Sequence, residues 1–163
     1  MKKKKKPICL ITGSSGLIGS EVSYFFLKKK FNVIGIDNNF RKFFFGKAAS
    51  TNQIKQNLNK IKNYNHFDLD IRDFNKLSNI FKKYKKRIKL IVHCAAQPSH
   101  DWAYKNPMLD FDINARSTFN LLELTKKFCN KSVFIFLSTN KVYGDSSNKF
   151  FFTEKKTRYE LRK

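Results

Sequence analysis

Three glycines, Gly13, Gly16 and Gly19, recur at intervals of three in I-C-L-I-T-G-S-S-G-L-I-G, residues 8–19, and a carboxylate, Asp37, follows 24 residues after the first of them. Glycine turns a chain sharply, leaves no side chain in the path of a ligand and lets a helix pack close to a strand. Such a turn, where it opens a helix, presents unpaired amide N–H groups and the positive end of the helix dipole, both suited to a diphosphate. A carboxylate about 20 residues further on, at the tip of the next strand, accepts from ribose hydroxyls. The four residues together read as a dinucleotide site. Asp37 would repel a 2′-phosphate, which favours NAD over NADP, with Arg41 the one dissenting charge.

That reading depends on context, because the spacing is G-x-x-G-x-x-G and not the G-x-G-x-x-G of many dehydrogenases. Ile8 to Ile11 is a continuous apolar run suited to a strand buried on both faces of a parallel sheet, and residues 17–27 supply the helix that follows. A second strand, residues 31–36, ends at Asp37. After a loop to Gly46, a polar helix is expected over 51–62, a third strand over 64–67 and a helix over 74–84 capped by Asp73. A fourth strand spans 88–94, and Pro107 opens a long amphipathic helix with Met108, Phe111, Ala115, Phe119, Leu122 and Phe128 roughly on one side. A fifth buried strand spans 132–137. Strands alternating with helices predict an α/β fold, a doubly wound parallel sheet of Rossmann type with strand order 3-2-1-4-5. Ligands bind such sheets at the carboxyl ends of the strands, where the loops 13–19, 37–41, 95–102 and 138–144 gather.

The 163 residues suffice for one domain with a real core and are few for two. Residues 1–6 are expected to be a disordered basic tail and 7–163 a single dinucleotide-binding unit. The formal net charge of +22 raises a polyanion as a partner. Lys, Asn, Phe and Ile are enriched together along the whole chain, however, so a solvated, lysine-rich surface is preferred to a specific nucleic-acid face, and nonenzymatic polyanion binding stands as the rival. The apolar run after the basic start is shorter than a signal sequence needs, and no stretch approaches the ~20 apolar residues of a membrane span. A cytoplasmic protein is expected. Cys9, Cys94 and Cys129 lack metal spacing and read as reduced core residues, with no metal site. His93 reads as a satisfied core histidine. Phe43, Phe44 and Phe45 read as loop packing, with a lid over the ligand as the alternative.

Five motifs occur in order: T-G-S-S-G-L-I-G, I-D-N-N at the second strand end, D-I-R-D after the third strand, H-C-A-A-Q after the fourth and S-T-N-K-V-Y-G after the fifth. Together they resemble the extended short-chain dehydrogenase/reductases, and within them the NAD-dependent nucleotide-sugar epimerases and dehydratases. S-T-N-K-V-Y-G-D, T-R-Y-E, F-D-I-N and the N-L-L-E after it resemble the CDP-paratose 2-epimerase (CDP-tyvelose epimerase) branch, and the likeness runs from Ile8 to about Tyr159. It implies that the turn, Gly13, Ser14, Ser15, Gly16, Leu17, Ile18 and Gly19, takes the pyrophosphate of NAD and that Asp37 takes the adenosine ribose. Asn38 and Arg41 would lie beside the adenosine, and Asp70 and Ile71 would border the adenine. Ala95, Ala96 and Gln97 would line the nicotinamide side, and Asn114 would support the site. Thr139 falls where the family keeps its catalytic Ser or Thr. His100, Asp101 and Trp102 sit in the loop where the family builds its sugar pocket, with substrate contact and loop packing as alternatives.

The reaction the resemblance implies is transient oxidation of a nucleotide sugar to a keto sugar, with hydride returned to the opposite face. Its base would be a Tyr activated by a Lys four residues later, whose cation lowers the phenol pKa. Tyr159 and Lys163 have that spacing, but T-R-Y-E matches a family segment that precedes the catalytic Tyr, so this pair is not the expected one. The chain is therefore expected to be truncated before a sixth strand and the C-terminal substrate lobe, weakly active or inactive alone, and compatible with a homo-oligomer when full length. A nucleotide-sugar 4-epimerase or dehydratase on the same scaffold is the enzymatic alternative.

Overall fold

The computed structural model describes residues 6–139, 144, 146 and 148–162. The basic run 1–5, Asn140 to Tyr143 and Asp145 of the S-T-N-K-V-Y-G-D motif, and Lys163 lie outside the described residues. Five parallel strands, β1 (Ile8–Thr12), β2 (Asn32–Ile36), β3 (Tyr64–Phe67), β4 (Ile88–His93) and β5 (Val133–Phe136), form one sheet in the order β3-β2-β1-β4-β5. The doubly wound parallel sheet expected from the sequence is present. β1 is central and buried along its whole length, as its unbroken apolar run requires.

Alternation along the strands divides the core in two. Ile8, Leu10, Ile34, Ile36 and Ile91 face one side and pack with Leu77 and Phe81 of α4 (Phe74–Tyr84) and with Leu121 and Leu124 of α7 (Ser117–Cys129). Cys9, Ile11, Val33, Leu90 and Val92 face the other, where α1 (Leu17–Lys28) brings Val22, Phe26 and Leu27. Each fully buried aliphatic or aromatic side chain contributes roughly 1.5–3 kcal/mol, so the two layers hold the strand ends in register. Asp73 caps α4 as expected, its Oδ1 accepting from the Lys76 N–H at 3.0 Å. The polar helix is shorter than its pattern, α3 (Asn52–Asn59), and the loop after β2 folds into α2 (Arg41–Phe45) and a short 3-10 turn.

Three expectations need correction. The long helix is interrupted: α5 (His100–Lys105) and α6 (Pro107–Phe111) are followed by a π-helical turn over Asp112–Arg116 and then α7. Its buried face is Ile113, Ser117, Leu121, Leu124 and Cys129, whereas Met108, Phe111, Phe119 and Leu122 are exposed. Ile113, Ser117, Leu121 and Leu124 are themselves spaced by fours and a three, so two stripes share this spacing, and the more apolar one, Met108, Phe111, Phe119 and Leu122, is the one left exposed. β5, expected to be buried, is an edge strand with Val133, Ile135 and Phe136 exposed. Among the described residues, no strand pairs with its outer edge. Finally, β6 (Phe152–Glu154) and β7 (Tyr159–Leu161) form a separate antiparallel hairpin, an addition to the five strands expected. No helix of the described residues is long and apolar enough to cross a membrane.

Candidate functional site

A groove of about 260 Å3 opens at the carboxyl ends of β1, β2 and β4. Its first wall is the glycine turn. Gly13 has φ +65°, and a Cβ there would lie 2.8 Å from the Ala95 nitrogen, so both conformation and the close passage of the chain leaving β4 require glycine. A Cβ at Gly19 would stand 2.0 Å from the Gly13 carbonyl oxygen, which fixes α1 against the turn. Gly16 is different: only the Gly13 oxygen, at 3.3 Å, would be near its Cβ, and the residue lines the groove. Gly16 is also the N-cap of α1, without a side-chain cap and without an acidic residue in the first turn. The first-turn N–H groups of a helix have no partner within it, and here no side chain of the cap takes them. The turn thus offers the uncapped amides and open backbone that a diphosphate needs.

Asp37 stands at the tip of β2 on the second wall. Its Oδ2 accepts from the Ser15 N–H at 3.0 Å and its Oδ1 from the Asn39 N–H at 2.8 Å, which ties the carboxylate to the glycine turn and leaves further lone pairs for hydroxyl donors. The third wall is Leu69, Asp70 and Ile71. Arg72 donates through Nε and Nη2 to the two oxygens of Asp70, at 3.0 and 2.6 Å, and its guanidinium lies 5.1 Å from the Phe40 ring centroid. Burial works to raise the Asp70 pKa, but the hydrogen bonds and charge of Arg72 outweigh it and hold the carboxyl below its ordinary range.

The fourth wall, after β4, is held from two sides. The Ala95 N–H donates to Thr12 Oγ1 at 3.2 Å, and Thr12 Oγ1 lies 2.6 Å from His93 Nδ1. His93 Nε2 lies 2.9 Å from Thr118 Oγ1, which donates to the Asn114 carbonyl at 2.7 Å. Since the Thr118 hydrogen is committed to Asn114, the network assigns the proton of His93 to Nε2, and Nδ1 accepts from Thr12. Burial pushes the His93 pKa down to about 4, so the ring is a neutral structural link. From the other side, Asn114 Oδ1 accepts from the Gln97 N–H at 2.8 Å and Asn114 Nδ2 donates to the Gln97 carbonyl at 3.1 Å. Gln97 Nε2 and Asn114 Nδ2 both donate to Asp110 Oδ1, each at 2.9 Å. The π turn that carries Asn114 is what aims it at this loop.

The structure brings Gly13, Gly16, Leu17, Ile18, Gly19, Asp37, Asn38, Arg41, Asp70, Ile71 and Ala96 together around one groove. Ser14 and Ser15 are fully buried behind the turn, and Ala95, Gln97 and Asn114 form the support described above. Trp102 packs on Phe43 and Phe44 with ring centroids 5.1 and 5.4 Å away, and its Nε1–H donates to the Phe44 carbonyl at 3.3 Å. The contact joins the loop after β2 to the loop after β4, and Phe44 also lines the groove. His100 and Asp101 open α5 and are exposed. Thr139 lies three residues past β5, exposed at the same edge of the sheet. Tyr159 is an exposed residue of the β6–β7 hairpin. Phe40, Thr51, Leu69, Cys94 and Pro98 also line the groove. Phe40 and Pro98 belong to the strand-end loops 37–41 and 95–102 expected to gather there, whereas Thr51, Leu69 and Cys94 lie outside those loops, Thr51 with the one signal of a hydroxyl residue at the start of a polar helix.

The family model described as GDP-mannose 4,6 dehydratase matches residues 10–161. The chain belongs to the NAD-dependent epimerase/dehydratase family. It is similar to a CDP-paratose 2-epimerase from Salmonella typhi, 33% identical over 150 residues covering 92% of this chain and 41% of that protein. Among solved structures it is similar to the UDP-Glc/GlcNAc 4-epimerase of Campylobacter jejuni, with TM-score 0.72, 28% identity and coverage of 85% and 39% of the two chains. It is likewise similar to a Thermus thermophilus UDP-glucose 4-epimerase in complex with NAD, with TM-score 0.58, 28% identity and coverage of 74% and 34%. The chain thus spans about two-fifths of the length of the Salmonella relative.

Proposed function

We propose that this chain is the NAD-binding portion of a nucleotide-sugar epimerase. The observation that carries the reading is the groove, in which Gly16 offers open backbone and uncapped helix amides while Asp37 stands at the tip of the neighbouring strand. The turn would hold the diphosphate, Asp37 the adenosine ribose, Asn38 and Arg41 the adenosine flank, and Asp70 with Ile71 the adenine edge. Ala95, Ala96 and Gln97 would border the nicotinamide side, kept in place by Thr12 and Asn114. When bound, NAD supplies a hydride acceptor that can give the hydride back to the same sugar carbon. Thr139 would hydrogen-bond the sugar oxygen, with His100 and Asp101 near the sugar. Trp102 would act by packing between the two loops.

Epimerisation of CDP-paratose at C2 is the finer proposal, supported by S-T-N-K-V-Y-G-D, by T-R-Y-E and by the likeness to the Salmonella enzyme. A 4-epimerase on the same scaffold is the second reading, favoured by the Campylobacter and Thermus structures. The cofactor is tested by titrating the chain with NAD and NADP. Like-charge repulsion between Asp37 and a 2′-phosphate should favour NAD by roughly tenfold, the equivalent of ~1.4 kcal/mol. Equal or tighter binding of NADP would contradict the role given to Asp37. Product analysis with individual nucleotide sugars separates the two sugar chemistries.

A further inference from the structure

Behind the glycine turn, on the α1 side of the sheet, lies a polar chain that no part of the groove requires. Ser14 Oγ is 3.0 Å from the Tyr64 hydroxyl, which is 3.2 Å from His66 Nδ1. His66 Nε2 is 3.1 Å from the carbonyl oxygen of Asp37. A carbonyl can only accept, so the His66 proton is on Nε2 and Nδ1 accepts from the Tyr64 O–H. The Ser14 hydroxyl then donates to the Tyr64 oxygen. Every hydrogen in the series has one direction, running from the turn to the strand end that carries the groove carboxylate.

Gly35 explains how the series is possible. Glycine inside a strand costs roughly 0.5–1 kcal/mol relative to alanine and normally signals a close approach. A Cβ at Gly35 would lie 2.1 Å from the Tyr64 hydroxyl oxygen and 2.5 Å from Ser14 Oγ. The missing side chain is the gap through which the phenol reaches the turn. Burial pushes the Tyr64 pKa up to about 12, which keeps the phenol protonated. Burial, reinforced by the charge of Lys55, lowers that of His66, which keeps its ring neutral and able to accept.

We propose that Tyr64 is a positioning residue for dinucleotide binding: its hydroxyl, passing through the gap at Gly35, braces Ser14 of the glycine turn against His66 and the main chain of Asp37. The two walls that would take diphosphate and ribose are thereby fixed relative to one another before a ligand arrives. The proposal rests on the reading of the groove as an NAD site.

Calorimetric titration with NAD of the wild type, Tyr64→Phe, Ser14→Ala and the double variant tests it, with ring-nitrogen NMR of His66 in the same samples. Tyr64→Phe should weaken NAD binding about fivefold, the fold-change of one lost neutral hydrogen bond. The double variant should bind no more weakly than Tyr64→Phe, because both changes cut the same series. The His66 Nδ1 resonance should move in Tyr64→Phe, while the Nε2 proton is retained. Gly35→Ala, which would displace the hydroxyl, provides a second route and should reproduce the affinity of Tyr64→Phe. Folded variants with wild-type affinity would overturn the proposal and leave the NAD site standing. Additive losses in the double variant would also overturn it. A wild type that gives no heat with NAD would remove the NAD site and the proposal with it.

Discussion

The side-chain amide of Asn114 closes a two-point clamp on the main chain of Gln97, accepting from its N–H at 2.8 Å and donating to its carbonyl at 3.1 Å. A helix residue thus replaces the strand partner that the chain lacks after it leaves β4. Asn114→Leu is close in size and cannot make either bond, and it leaves two main-chain groups of a half-buried loop unsatisfied. Each such group costs about 1–3 kcal/mol, so a destabilisation of about 3 kcal/mol is expected in denaturant unfolding. Asn114→Asp keeps the acceptor for the Gln97 N–H but sets a second carboxylate against Asp110 Oδ1 and the Gln97 carbonyl, so it too should be destabilised at neutral pH and recover as the pair takes up a proton. Equal midpoints for wild type and Asn114→Leu would contradict the clamp.

His93 gives a pH dependence with a definite sign. Its pKa is pushed down to about 4 in the folded chain by burial, whereas an unfolded histidine titrates near ~6.5. The unfolded state therefore takes up the proton first. Stability is fully present above the unfolded value and is lost as pH falls from there through the folded value, by on the order of 3 kcal/mol. Denaturant midpoints measured across that window should fall in the wild type and fall less in His93→Gln. Identical pH profiles for the two would show that His93 is not the group responsible.

Trp102 is the one tryptophan of the chain, and it packs on Phe44, which lines the groove. Its emission should therefore be quenched when NADH occupies the groove. Trp102→Ala removes two aromatic contacts worth about 0.5–1.5 kcal/mol each and an indole hydrogen bond, so a loss of about 2 kcal/mol in stability and faster NAD release in stopped flow are expected. An unchanged release rate would place the α2–α5 contact outside the binding process.

Gly19 should tolerate no side chain. The Cβ of Gly19→Ala would meet the Gly13 carbonyl oxygen at 2.0 Å, with backbone on both sides of the contact. Overpacking of this kind costs about 3 kcal/mol or more, and Gly19→Ala should melt well below the wild type. Gly46→Ala, with φ +79° and ψ −175° but nothing within 4 Å of the added carbon, should lose about 1–3 kcal/mol from backbone strain alone. A reversed order would contradict the packing of α1 on the turn.

The sheet order and the strand ends were legible because a parallel sheet buried on both faces demands continuous apolar runs, and β1, β2 and β4 have them. The glycine turn and Asp37 were legible because their spacing follows from the length of one strand, one helix and one strand. The buried face of α7 was not, since Ser117, Leu121 and Leu124 share their spacing by fours and threes with the exposed and more apolar series of Phe111, Ala115, Phe119 and Leu122, and spacing alone does not choose between the two. The exposure of β5 was hidden for a different reason: V-F-I-F reads as a core strand wherever it sits, and its burial depends on neighbours outside the strand itself. The Ser14, Tyr64 and His66 series was also hidden, because Ser14 follows β1 whereas Tyr64 and His66 lie in β3, and only Gly35, a glycine inside an apolar strand, hinted that something must fit beside it.

The central claim is that the Gly13–Gly19 turn binds the diphosphate of NAD, and Gly16 is the position at which to test it. A Cβ there has only the Gly13 oxygen near it, at 3.3 Å, so Gly16→Val fills the groove with little cost to the fold. Calorimetric titration of wild type and Gly16→Val with NAD, after checking that both melt cooperatively, is the most direct measurement. Saturable heat in the wild type and none in Gly16→Val is the predicted result; equal heats from the two would contradict the account.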